Sequence, residues 1–398
     1  MDFIKNRNYV LLLAGNAVSR LGNVIYNVIL SWWITEKTGN PIGIGYILAA
    51  SSLGNVLMSP YGGVLADSIK KKYIIVFTDI ISGITTIYIA CLIQLDVQNV
   101  WYYVAGSFIL GVCSAAFRPS IRAILPYLCK EEHIVKSNSL INNLGELSNI
   151  IGPSIGAALM LLGSNGAFYA ILIDGLSFLF SALSETFIMY EEEKGNTDGN
   201  AKFLSAFIDG CKAVKGHYFI WLSIVMVSLI NFCLASFEVL LPSYVLNLAN
   251  SSENVYSNLL TVYAVGGVLV SLFMIAAKNL KVNFNKLCFS IIIIGIALSI
   301  FGTSKNIFLS GFIVCILGAC ETYFSTNFFS ILQVKIEKEY LGRVFSIVFT
   351  ISMLLTPVSN IFYGHLGKRF LELSFVCSGI FVVFFAMIYL IKGKRSAE

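Results

Sequence analysis

The sequence predicts an all-α polytopic membrane protein, and three observations predict it. Of 398 residues, 57% are hydrophobic and only 12% charged, against roughly 25% charged in a soluble domain. Apolar runs of about 20 residues, long enough to cross a hydrocarbon core as a helix, recur twelve times. Lysine and arginine gather in alternate loops between those runs. A transmembrane barrel is excluded, because its strands need only about 9–11 residues and alternate in polarity.

The first span, 9–34, is longer than a signal-peptide core and reads as a retained helix. It carries Asn16, Arg20, Asn23, Asn27 and Ser31 at helical spacing, a stripe that lipid would not accept. The second, 42–65, runs into "GGVLADSIKKK" at 62–72. The third, 73–94, holds Asp79 just inside its start, as part of the polar network behind that turn. The fourth, 101–127, places Arg118 and Arg122 one turn apart, and the fifth, 137–163, places Asn142, Glu146 and Asn149 along one face. Glu146 is positioned by depth to partner Arg20 or Arg118, since neither charge is stable alone in the membrane. The sixth, 166–190, aligns Asp174 with Ser177, Ser181 and Ser184, a pattern suited to hydrogen bonding between helices.

Residues 191–218 form the longest polar interruption. They read as a linker whose "FLSAFIDGCKAV" makes an amphipathic surface helix. The seventh span, 219–246, carries Ser228, Asn231 and Glu238. After 256–278 and 285–303 comes the tenth, 306–334, with Glu321 near its middle and Ser325 one turn on. Tyr323, Phe324, Phe328 and Phe329 surround Glu321 in sequence, either as packing or as contacts for a bulky cation. The eleventh, 342–364, contains Pro357, and 370–391 is the twelfth. The chain thus divides into a six-helix half at 1–190, a linker at 191–218 and a second half at 219–398.

With the N-terminus in the cytosol, twenty lysines and arginines fall on that side and four on the other, while Arg20, Arg118 and Arg122 lie within spans. The positive-inside rule therefore puts both termini in the cytoplasm. The nine cysteines show no CxxC pair and no metal-ligand spacing, so neither a metal nor another cofactor is expected. No GxxxxGK[ST] loop and no Ser/His/Asp constellation appears, and no basic stretch interleaved with aromatics suggests nucleic acid. An enzyme is not expected.

The halves resemble one another. "GVCSAAF" at 111–117 answers "GACETYF" at 318–324, charged turns follow at 130–132 and 337–339, and Pro153 answers Pro357. Each pair sits on spans of one direction, which makes the repeat parallel. Twelve spans, this repeat and the charged turn after span two together resemble the major facilitator superfamily. In the turn, Gly63, Leu65 and Asp67 followed by Lys71 and Lys72 are similar to that family's loop 2–3 motif, with Ser68 and Lys70 departing from it. The resemblance implies a conformational gate between the two halves; the alternative for the lysines is that they only anchor topology. "SNIIGPSIG" at 148–156 is similar, through Gly152, Pro153 and Gly156, to the family's span-five antiporter motif, found mostly in exporters. "WWITEKTGNP", "RPSIRAILPYL" and "EYLGRVFSI" are similar to bacterial macrolide exporters of the Mef type and their siderophore-exporting relatives. Relatives often have an acid where Asn23 stands.

The resemblance implies a secondary exporter of a bulky amphiphilic small molecule, such as a macrolide, working by proton antiport in the bacterial plasma membrane. The cavity set would be Arg20, Asn23, Asn27, Arg118, Glu146, Glu238, Glu321 and Ser325. A lone carboxylic acid in low dielectric favours its neutral form, which suits Glu238 or Glu321 to a proton or to a cationic substrate. A monomer in lipid, with protons and the small molecule as its partners, is expected. The alternatives are a siderophore or peptide exporter, a nutrient symporter, or a non-transporting sensor or partner subunit.

Overall fold

A computed structural model describes residues 6–129, 131–160, 163, 165–190, 218–248, 252–276, 284–335, 348 and 351–397. Twelve helices run through them: α1 Arg7–Thr38, α2 Ile42–Ser68, α3 Lys71–Gln94, α4 Val100–Leu128, α5 Glu131–Met160 and α6 Gly166–Thr186, then α7 Tyr218–Leu246, α8 Glu253–Ala276, α9 Phe284–Thr303, α10 Ile307–Lys335, α11 Thr356–Arg369 and α12 Leu371–Ala397. Among the described residues, nine are long and apolar enough to cross a membrane: all but α1, α5 and α11. The polar residues on α1 and α5 explain their absence from that set. α11 is described over only 14 residues. A break at Leu355 separates it from helical residues 351–354, where Pro357 in the first turn withholds a backbone donor. Most of 342–355, the predicted linker helix, residue 130 of the first charged turn, the whole of the second and "EYLGRVFSI" lie outside the described residues.

Local chemistry sets the ends. α1 closes on Gly39, whose φ of +65° is the left-handed conformation glycine adopts readily. α4 opens on Asn99, whose side chain accepts from the Trp101 amide at 3.2 Å. α10 opens on Asn306, whose Oδ1 accepts from Phe308 and Leu309. In the last turn of α1, Lys37 Nζ lies 2.6 Å from Oδ1 of Asp96, in the turn after α3. The hydrogen bond from Lys37 holds the Asp96 carboxyl below the usual carboxylate range. Its contribution to stability is therefore present above the ordinary aspartate range and lost as pH falls through the depressed value. Both groups are solvated, so Asp96→Asn is expected to lower the unfolding midpoint only slightly at neutral pH, with the difference vanishing in acid. A thermal series over pH checks this.

The chain forms two compact units, one of 1–38 and 50–203, the other of 39–49 and 204–398. In the first, α3 pairs with α6, and α1 with α5 and α6; in the second, α9 pairs with α12, and α7 with α11 and α12. The first six helices and the last six thus repeat one packing scheme. The repeated "G-x-C" segments show why. A Cβ at Gly111 would overlap the Ser51 carbonyl oxygen of α2, and one at Gly318 would overlap the Tyr263 carbonyl oxygen of α8. Each glycine lets two helix backbones meet at the equivalent crossing.

The first unit's core gathers Tyr9, Leu12, Ile75, Ile121, Ile124, Leu125 and Leu128. The second packs Tyr244 against Phe301 at 4.4 Å and Phe301 edge-to-face against Phe375 at 5.2 Å between ring centres. Large apolar side chains are also turned outward, including Phe77, Phe180, Phe273, Phe312 and Phe384. An apolar exterior of that kind suits lipid rather than water.

Candidate functional site

The first unit's polar residues divide between an open face and a closed core. Asn23 and Asn27 of α1, Arg118 and Arg122 of α4, and Asn142, Glu146 and Asn149 of α5 are exposed, and Arg20 is half-buried. Charged groups at these positions cannot face hydrocarbon cheaply, so this is the unit's water-facing side. At the two ends of the predicted α1 stripe, Asn16 and Ser31 are buried instead, because neighbouring helices close over them.

Arg20 leans onto α5, where its guanidinium occupies the space a Cβ at Gly145 would need. It lies in the electrostatic field of Arg122 and Glu146, and Arg118 lies in that of Arg20 and Arg122. Among the described residues no ion pair joins Arg20 to Glu146. Three arginines against one glutamate leave this face net positive. Asn23 donates to the Ser19 carbonyl at 2.9 Å. α5 packs on α1 through its glycine face: a Cβ at Gly152 would come within 2.6 Å of Val24 Cγ1, and one at Gly156 within 3.7 Å of Ile29 and Val28. Pro153 stands between them inside the helix and interrupts its backbone ladder.

The basic turn is tied into the same unit. Lys72 Nζ donates to the carbonyls of Thr186 and Ile188 at 2.5 and 2.8 Å, closing the C-terminal end of α6. Lys71 is buried with its ammonium 5.3 Å from the centre of the Tyr127 ring. Gly63 and Asp67 sit in the last turns of α2, and their surroundings fall outside the described residues.

In the second unit, Glu238 of α7 is exposed and Glu321 of α10 is half-buried. The Tyr263 hydroxyl of α8 donates to Glu321 Oε2, and the Tyr263 ring stacks on Phe237 at 5.4 Å. Glu238 and Glu321 lie close enough to feel each other's charge. Ser325 Oγ donates to the Thr322 carbonyl within its own helix at 3.2 Å. Phe324 and Phe328 are buried and pack together at 5.6 Å, which makes them core. The aromatic partner of Glu321 is Tyr263 of α8 instead, backed by Phe237 of α7.

One constellation is only half visible in the sequence. Asp79 accepts from Ser19 of α1 at 3.4 Å and faces Ser181 of α6. Asp174 and Glu185, also on α6, are buried with it. Glu185 is absent from the residues that the sequence singles out. The available signal is its place in the last turn of a helix, where the macrodipole disfavours an anion, in register with Asp174 and Ser181.

A family model described as the Major Facilitator Superfamily matches residues 12–359. Macrolide efflux protein A of Streptococcus pyogenes is 25% identical over 386 residues, spanning 94% of this chain and 93% of that protein. Quinolone resistance protein NorA of Staphylococcus aureus is 24% identical over 240 residues, 60% of this chain and 57% of its own. Among solved structures, a bacterial homologue of the human lysosomal transporter Spinster, inward-facing and occupied, superposes with a TM-score of 0.79 at 13% identity, covering 98% of this chain and 97% of that one. The nucleoside transporter NupG gives 0.78 at 12% identity, covering 96% and 99%. Likeness at such identity concerns the fold alone. With twelve helices in two repeated halves, an apolar exterior and a family match across nearly its whole length, the chain belongs to the Major Facilitator Superfamily, as a multi-pass transporter of the bacterial inner membrane.

Proposed function

We propose that this protein exports a bulky amphiphilic small molecule in exchange for protons, by alternating access, as a monomer with both termini in the cytoplasm. The observation that carries the reading is the acidic pair of the second unit. Glu238 is exposed on α7, and Glu321 is held by the hydroxyl of Tyr263, whose ring stacks on Phe237. An acid so placed can hold either a proton or the cationic group of an amphiphile, and competition between the two couples their movements. The two relatives described by name as macrolide efflux and quinolone resistance proteins support export. The glycine–proline face of α5 supports the antiporter assignment of Gly152, Pro153 and Gly156. In this reading Gly63, Asp67, Lys71 and Lys72 act as the gate, Lys71 and Lys72 by securing one side of it to α4 and α6.

A second reading is favoured by one observation. The net-positive face formed by Arg20, Arg118 and Arg122 against Glu146 suits an anionic group, as on a siderophore or an acidic peptide. Accumulation of radiolabelled erythromycin and of ethidium in an efflux-deficient bacterial host decides between the readings. The exporter of cationic amphiphiles lowers accumulation of at least one probe, and a protonophore restores it. Unchanged accumulation of both, with lowered retention of a siderophore, favours the anionic reading.

A further inference from the structure

Between α1, α3 and α6 the first unit buries three carboxylic acids away from its water-facing side. Asp79 and Asp174 are 2% exposed and Glu185 fully buried. α1 makes room for them with small residues two turns apart. A Cβ at Gly15 would come within 3.0 Å of Glu185 Oε1, and one at Gly22 would overlap Asp174 Oδ1. Ser19, between the two glycines, donates to Asp79 at 3.4 Å. α1 and α6 run antiparallel, so the acids form rungs over about 10 Å of the α1 axis, at 1.5 Å per residue. Glu185 lies at the end of α6 nearest Lys72, Asp79 in the middle and Asp174 deepest.

A hydroxyl joins two of the rungs, Glu185 and Asp79. Ser181 Oγ donates to Glu185 Oε1 at 3.3 Å and also faces Asp79. A hydroxyl both donates and accepts, so it can pass a proton from one carboxyl to the next. Among the described residues, neither carboxylate oxygen of Asp174 has a hydrogen-bond partner, and Glu185 Oε2 has none. Burying a carboxylate ion with neither cation nor donor costs far more than burying its neutral acid, and three together would also repel.

The other titratable groups that reach the cluster are Tyr26 of α1, near Asp174, and Cys113 of α4, near Asp79. Neither is a cation. Arg20 of α1 turns away to Gly145 of α5, and the ammonium of Lys72 is committed to Thr186 and Ile188.

We infer that Glu185 and Asp79, linked by Ser181, and Asp174, buried beyond them against Gly22, form a proton-binding ladder that holds a coupling proton outside the substrate cavity. This rests on the proton-antiport reading and deepens it. Glu185 is the outermost rung, nearest the membrane face that the basic turn marks as cytoplasmic. Asp174 is the inner holding point. Glu238 and the half-buried Glu321 of the second unit remain available to the substrate.

The test uses the full chain in lipid nanodiscs, with the proton alone as probe. Infrared spectra across a pH series should show carboxylic-acid C=O absorption at neutral pH, with a share of it lost in Asp174→Asn and in Glu185→Gln. Ser181→Ala, which keeps all three acids, should shift the titration of what remains. Spectra of the acid variants that match the wild type overturn the ladder. So does absorption that responds to sodium chloride against choline chloride instead of to pH, which would mark a metal-cation site. In proteoliposomes, Glu185→Gln should slow gradient-driven erythromycin efflux about tenfold while leaving gradient-free erythromycin exchange unchanged. Equal driven rates overturn the proposal. Failure of the wild type to move erythromycin counts against the export reading alone, and the infrared series then decides the ladder.

Discussion

Replacing Gly318 by leucine is expected to destabilise the second unit by about 3 kcal/mol or more, the upper end of overpacking effects. The obstacle is backbone: the Tyr263 carbonyl oxygen of α8 sits where the new Cβ must go, and an α8 carbonyl cannot move without disturbing its own helix. Gly111→Leu against the Ser51 carbonyl should do the same to the first unit. Gly311 lies on the same α10 helix with nothing within 4 Å of its Cβ position, so Gly311→Leu is the matched control and should be nearly neutral. Yield of monodisperse protein and thermal unfolding in detergent read the difference. Equal behaviour of Gly318→Leu and Gly311→Leu would contradict the close crossing.

The largest functional effect is expected at Glu321. Glu321→Gln keeps the shape and an acceptor for the Tyr263 hydroxyl but removes the titrating proton. Gradient-driven efflux should fall by at least about tenfold, equivalent to about 1.4 kcal/mol in the rate-limiting barrier, while exchange of substrate across a membrane without a gradient persists. Loss of both processes would assign Glu321 to substrate binding alone. Retention of both would remove it from the mechanism. Tyr263→Phe, which deletes the hydroxyl donor and keeps the ring stacked on Phe237, should move the pH profile of transport without abolishing it.

Much of this fold is legible in the sequence because a bilayer makes composition strict. A run of apolar residues about 20 long has few fates in lipid, and the edges of α2, α3, α4 and α9 fall within three residues of the runs read from sequence. The α1 stripe is legible in its middle, where Arg20, Asn23 and Asn27 are accessible, and misleading at Asn16 and Ser31, since periodicity reports a face but not where neighbours close over it. The partners of Glu321 are not legible. Phe324 and Phe328 beside it in sequence turn into core, while Tyr263, backed by Phe237, reaches it from a helix whose relative rotation no local pattern encodes. Asp79 and Asp174 can be seen one helix at a time. Their meeting with Glu185 depends on Gly15 and Gly22 of a third helix, which look ordinary in any membrane sequence.

The most direct test of proton-coupled export places purified wild-type protein, with no other component, in liposomes carrying an imposed pH gradient, and follows erythromycin, ethidium and proton movement together. An antiporter gives substrate flux that requires the gradient, runs opposite to the protons and stops when an ionophore collapses it. Flux equal to that of empty liposomes for both compounds, or flux indifferent to the gradient, would contradict proton-coupled export.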